Sequence, residues 1–125
     1  EVQFKAATRD SLDGWPRLAW VRYQRGDLPG AQAALETYLE RRGPEAADPE
    51  AADALNNLAW ILYERKMELA RAESLARRAH RLVPGNREYL DTLERIRAAR
   101  LSSASLTAIV SPLLLPVPVL GRLPA

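Results

Sequence analysis

The sequence predicts an all-α chain built from helical hairpins, and three observations carry that expectation. The hexad Leu18-Ala19-Trp20-Val21-Arg22-Tyr23 returns forty positions later as Leu58-Ala59-Trp60-Ile61-Leu62-Tyr63. Each copy leads into a charged turn and then an alanine- and leucine-rich stretch with apolar residues three and four apart, the spacing of one helix face. Glycine, proline and aspartate fall between these stretches, where helices begin and end.

In chain order, residues 1–10 carry Val2, Phe4, Ala6 and Ala7 at helix-compatible spacing without a start signal, and read as the end of a preceding helix. Asp13 can cap the first clear helix, with Pro16 in its first turn, where a missing N–H costs nothing. Gly26-Asp27 ends it, and a second helix is expected from about Leu28 to Arg42, with Ala31, Leu35, Tyr38 and Leu39 as its apolar ridge and Gly43-Pro44 as its stop. After a loop to Glu50, Asp48 caps a third helix with Pro49 at its first position, running to about Arg65. A fourth spans about Leu69 to Leu82 and closes at Pro84-Gly85. Asn86 caps a fifth, expected to end near Leu101. From Ser102 the composition changes: Leu106 to Ala125 is apolar, holds four prolines and carries no charge except Arg122. Prolines 112, 116 and 118 are expected to forbid a helix there, so residues 102–125 are expected as an extended, polyproline-like arm.

Composition bounds the function. The chain of 125 residues is 47% apolar, enough for one modest core. Its 18 bases face 16 acids, and their signs alternate along the chain, which favours a solvated surface over a nucleic-acid footprint. Without cysteine there is neither a disulfide nor a thiolate metal site, a state that suits cytoplasm and periplasm alike. The most apolar stretch, Leu106 to Leu120, is broken by three prolines and falls short of a membrane span. The chain opens at Glu1 with no basic-then-apolar leader, so either a signal has been removed or the sequence is part of a longer protein.

The pattern resembles the tetratricopeptide repeat, a 34-residue helix-turn-helix unit. The first unit supplies Trp15-x2-Leu18-Ala19, the Gly26-Asp27 turn, Ala31-x3-Leu35 and Pro44. The second supplies Leu55-x2-Leu58-Ala59, Ala72-x3-Ala76, Ala79 and Pro84, and a third start is Leu90-x2-Leu93. The chain departs from the family at Arg22 and Leu62, which hold the place of its aromatic, while Tyr23 and Tyr63 stand one residue later. The second turn, Glu64 to Leu69, lacks glycine and holds one extra residue. Glu94 replaces a small residue, so the fifth helix is expected to act as a cap. The resemblance covers residues 11–101 and implies a helical-hairpin solenoid of two units plus the capping helix.

The same resemblance implies a concave face lined by the first helix of each pair. It would carry Asp13, Trp20, Tyr23 and Gln24, then Asn56, Trp60, Tyr63 and Glu64, then Asp91 and Arg95. Two Trp-x-x-Tyr pairs one repeat apart suit an extended peptide with proline or bulky apolar side chains, and Asn56 can hold a peptide amide through its donor and acceptor. The competing reading has Trp20 and Trp60 only packing between neighbouring helices. In the arm, Leu113, Leu114, Leu115, Pro116, Val117, Pro118, Val119 and Leu120 are expected to anchor against protein, either the chain's own solenoid or another subunit. A disordered end is the competing reading there.

Catalysis finds no constellation. His80 stands alone in a helix's last turn, the serines 102, 103 and 105 lack a base, and neither a metal nor a cofactor is expected. Glu36 and Glu40 read as solvated charges, and Arg77, Arg78, Arg81, Arg95, Arg97 and Arg100 as a solvated face. The expected function is a non-enzymatic scaffold or adaptor binding a peptide or partner subunit, without nucleic acid. The alternative is a structural subunit of a larger complex, whether or not membrane-associated, anchored to its neighbours by the arm. The alanine- and arginine-rich style resembles bacterial members of the family, often part of envelope or secretion machinery.

Overall fold

A computed structural model describes residues 14–114, with side chains through residue 103. Among the described residues the backbone is all-helical and contains no strand: α1 Gly14–Gln24, α2 Leu28–Arg42, α3 Pro49–Glu64, α4 Leu69–Leu82 and α5 Arg87–Leu114. Consecutive helices pack on one another, and α3 also touches α5. The expected end of a preceding helix at residues 1–10, and Asp13 as a cap, lie outside the described residues.

The helix starts follow from their caps. Asp27 accepts a hydrogen bond from the Gly30 N–H at 2.9 Å, Asp48 from Ala51 at 3.0 Å, and Asn86 from Tyr89 at 3.1 Å. Each satisfies one of the N–H groups a helix start leaves without a partner. A Cβ at position 30 would meet the Asp27 carboxylate and the Arg22 side chain, so a larger residue there would have to displace both, including the Arg22 guanidinium that donates to the Gly30 carbonyl at 3.1 Å.

The core runs between the helices. Leu35 and Tyr38 of α2, Leu55, Leu58 and Leu62 of α3, and Leu93 and Ile96 of α5 are fully enclosed, each apolar side chain contributing about 1.5–3 kcal/mol. From α4 the core takes mainly alanines, Ala72, Ala76 and Ala79. Small side chains at that spacing let α4 lie close against its neighbours.

Glu40, Arg81, Arg95, Arg97 and Arg100 are exposed, as the sequence implied, but several of the charges are also paired. Glu36 accepts from Arg71 across the α2–α4 gap at 2.8 Å. Glu73, nearly buried on α4, gathers Arg77 from its own helix, and Arg97 at 3.4 Å and Arg100 at 2.7 Å from α5. Arg78 donates to the Pro44 and Ala46 carbonyls and so pins the α2–α3 loop. Apart from Arg77 with Glu73, these pairings join residues 24 to 35 positions apart, which sequence spacing does not reveal.

One boundary is corrected. The fifth helix does not end near Leu101, and the segment from Ser102 is not extended from its start: α5 continues through Pro112 to Leu114. Residues 101–110 hold neither proline nor glycine, so each added residue gains one backbone hydrogen bond once the helix is under way. Pro112 removes a bond only in the final turn, where the helix ends two residues later. Of the expected arm, Leu113 and Leu114 therefore belong to the α5 backbone, and Leu115, Pro116, Val117, Pro118, Val119 and Leu120 lie outside the described residues.

Candidate interaction site

Both Trp-x-x-Tyr pairs form ring contacts within their helices, because residues three apart share a face. The Trp20 and Tyr23 rings stack at 6.4 Å between centroids and 22° between planes, and Trp60 and Tyr63 meet at 5.2 Å and 40°. The pairs are joined across α1 and α3: the Tyr23 hydroxyl accepts from Trp60 Nε1 at 3.3 Å and donates to Glu64 Oε1 at 3.0 Å. One phenol thus links four of the residues singled out in the sequence.

Beside this network lies an open cleft of about 130 Å³. Pro16, Ala19, Trp20 and Tyr23 line it from α1, Leu35 from α2, and Asn57, Trp60 and Ile61 from α3. Ala19, Leu35 and Ile61 are core residues, so they supply a buried apolar floor. The walls are aromatic. Trp20 is 61% exposed, and Trp60 is half-buried with its N–H already engaged by Tyr23. Neither indole lies in the interior.

The remaining expected residues divide. Tyr63 is half-buried and lies alongside Arg95, whose guanidinium is bonded to Asp91 at 3.0 Å. The Asp91 hydrogen bond, foremost, raises the Arg95 pKa and keeps the cation fixed. Through the Trp60–Tyr63 contact this pair extends the aromatic line from α3 to α5. Gln24 is exposed at the end of α1.

Asn56 falls elsewhere. It is 7% exposed, and its Oδ1 is buried with no hydrogen-bond partner. Its neighbour Asn57 lines the cleft instead. A helix turns about 100° per residue, so adjacent asparagines cannot serve the same face. Asn57 stands three and four residues before Trp60 and Ile61, a spacing that marks it as the asparagine on the cleft side. Pro16, Ala19, Leu35 and Ile61 were also unassigned, since each reads from sequence as a helix-start or core residue.

No protein-family model matches the chain, and no curated protein matches it. Among the described residues no group of three or more His, Asp or Glu side chains could hold a metal ion, and no helix is long and apolar enough to cross a membrane. His80 sits in the last turn of α4 with its Nδ1 buried and without a hydrogen-bond partner.

Proposed function

We propose that the protein is a non-enzymatic interaction module that holds an extended peptide, or a peptide-like segment of a partner subunit, in the aromatic cleft between α1 and α3. The exposed indole of Trp20 at the edge of a buried apolar floor carries this reading. Leaving a large aromatic surface in water beside a cleft forgoes burial energy that a ligand would recover. The cleft is small for a folded surface and suited to a few side chains of an extended strand. The ring faces of Trp20 and Trp60 favour proline, while the Asn57 amide, at an exposed position, can meet a peptide group.

We read the helices as two tetratricopeptide-like units and a capping helix in a short solenoid, in the manner of bacterial members of that family. Supporting it, the turns after α1 and α3 close with the same pair of backbone bonds forty residues apart. Gly26 and Asp27 donate to the Tyr23 and Arg22 carbonyls, and Lys66 and Met67 donate to those of Tyr63 and Leu62. The second reading, a structural subunit of a larger assembly, is favoured by one observation: α5 continues past Leu101, itself 69% exposed, into an apolar sequence.

An array of immobilised extended peptides probed with the purified chain tests the cleft reading. Peptides with proline or bulky apolar residues are retained, and Trp20→Ala weakens retention at least tenfold, about 1.4 kcal/mol, with helix content unchanged. Retention insensitive to Trp20→Ala would move the site elsewhere.

A further inference from the structure

We propose that the α1–α3 cleft takes the segment Leu115-Pro116-Val117-Pro118-Val119-Leu120 of a second copy of this chain, so that the protein associates with itself through its own proline-bearing segment. The inference rests on the peptide-cleft reading and names the occupant. The chemistry matches on both sides. Pro116 and Pro118 present rigid rings to the faces of Trp20 and Trp60, and the intervening Val and flanking Leu residues are apolar, like the floor of Ala19, Leu35 and Ile61. Two of the six residues lack an N–H, so fewer donors lose water on entering a cleft whose walls are mostly rings and aliphatic carbon.

The direction of α5 decides between the same copy and another. Asp53 on α3 bonds the Tyr89 hydroxyl at 3.2 Å, and further along both helices Tyr63 lies alongside Arg95, so α3 and α5 run the same way. Arg95 therefore stands near the level of the Trp60–Tyr63 pair. From Arg95 the helix continues to Leu114, 114 − 95 = 19 residues, which carries its end about 28 Å further along the axis. Pro118 follows Leu114 by 118 − 114 = 4 residues, a reach of about 14 Å at full stretch. With α5 helical to Leu114, the segment falls short of its own cleft by a wide margin. The same projection, with Leu101 already exposed, delivers it to a neighbour.

Light scattering on the full chain and two variants, alone and mixed, tests the proposal. The unaltered chain is heavier than a monomer. Trp20→Ala, which spoils the cleft, and Pro116→Asp with Pro118→Asp, which spoils the segment, each weaken association at least tenfold. An equimolar mixture of the two variants regains a heavier species, because one copy still offers a cleft and the other a segment. Should Trp20→Ala disturb helix content by circular dichroism, Asn57→Glu at the exposed opposite wall takes its place. The proposal is overturned by an unaltered chain that stays monomeric to about 1 mM, by a segment variant that associates like the unaltered chain, or by a mixture no heavier than its parts. If the segment variant binds a synthetic peptide of alternating leucine and proline, but not a peptide of residues 113–122, the cleft reading stands and the second copy is removed as its occupant.

Discussion

Lys66 shows how a single backbone angle survives a change of residue. It stands forty positions after Gly26, makes the corresponding turn bond to Tyr63, and holds φ at +57° where Gly26 holds +80°. Only glycine adopts that left-handed region without a steric cost of about 1–3 kcal/mol, against which its greater unfolded-state freedom offsets about 0.5–1 kcal/mol. Lys66 is exposed, so its side chain contributes little that would be lost. Lys66→Gly is therefore expected to stabilise the protein by about 0.5–1 kcal/mol, read as a higher urea midpoint at unchanged slope, and a lower midpoint would show that the turn is not strained there. The sequence displayed the missing glycine and the extra residue of this turn. It did not display that Glu68 also goes left-handed, at φ +47°, to absorb that extra residue before α4. Nor did it separate Asn56 from Asn57, since both could be placed on a first-helix surface until the packing of α3 fixed which side is buried.

At the scale of elements, helix identity and most boundaries were legible because caps and breakers act locally. Asp48 with Pro49, and Gly43 with Pro44, fix the ends of α2 and α3 within a few residues of chain. The end of α5 was not legible from proline alone, because a proline ends a helix only within its own turn and leaves the ten residues before it free to continue. Part of how α4 and α5 are held together was also hidden, since ion pairs on Glu73 add to the apolar packing of Ala76 and Ala79 against Leu93, Ile96 and Tyr89. Arg100 above all, together with Arg77 and Arg97, holds the Glu73 carboxyl below the usual carboxylate range. A carboxyl whose folded pKa is depressed stabilises fully above its unfolded value, about 4.3, and loses that contribution as pH falls through the depressed value. Glu73→Gln is expected to destabilise by about 1–3 kcal/mol near neutral pH, the range of a buried pair discounted for arginines that remain half in water. In denaturant titrations the gap between Glu73→Gln and the unaltered chain should narrow from pH 7 toward pH 3. A gap that stays constant over that range would mean the carboxylate charge adds nothing to the joint between the two helices.

For the whole molecule, a forty-residue echo in the sequence becomes two aromatic pairs tied by one phenol, with a cleft beside them that no single helix forms. The line Trp20, Tyr23, Trp60, Tyr63 and Arg95 could be anticipated because it repeats. The floor of Ala19, Leu35 and Ile61 could not, because core residues become a floor only when α1, α2 and α3 leave a gap between them. Trp15 supplies an internal control, since it packs against the core with Arg41 over its ring at 5.5 Å and does not line the cleft. The most direct measurement follows the three indole N–H resonances while a synthetic peptide of alternating leucine and proline is titrated into the chain. The Trp20 and Trp60 signals are expected to shift together with one saturation curve while that of Trp15 stays in place. A shift confined to Trp15, or none at any indole while peptide binds, would contradict the placement of the site between α1 and α3.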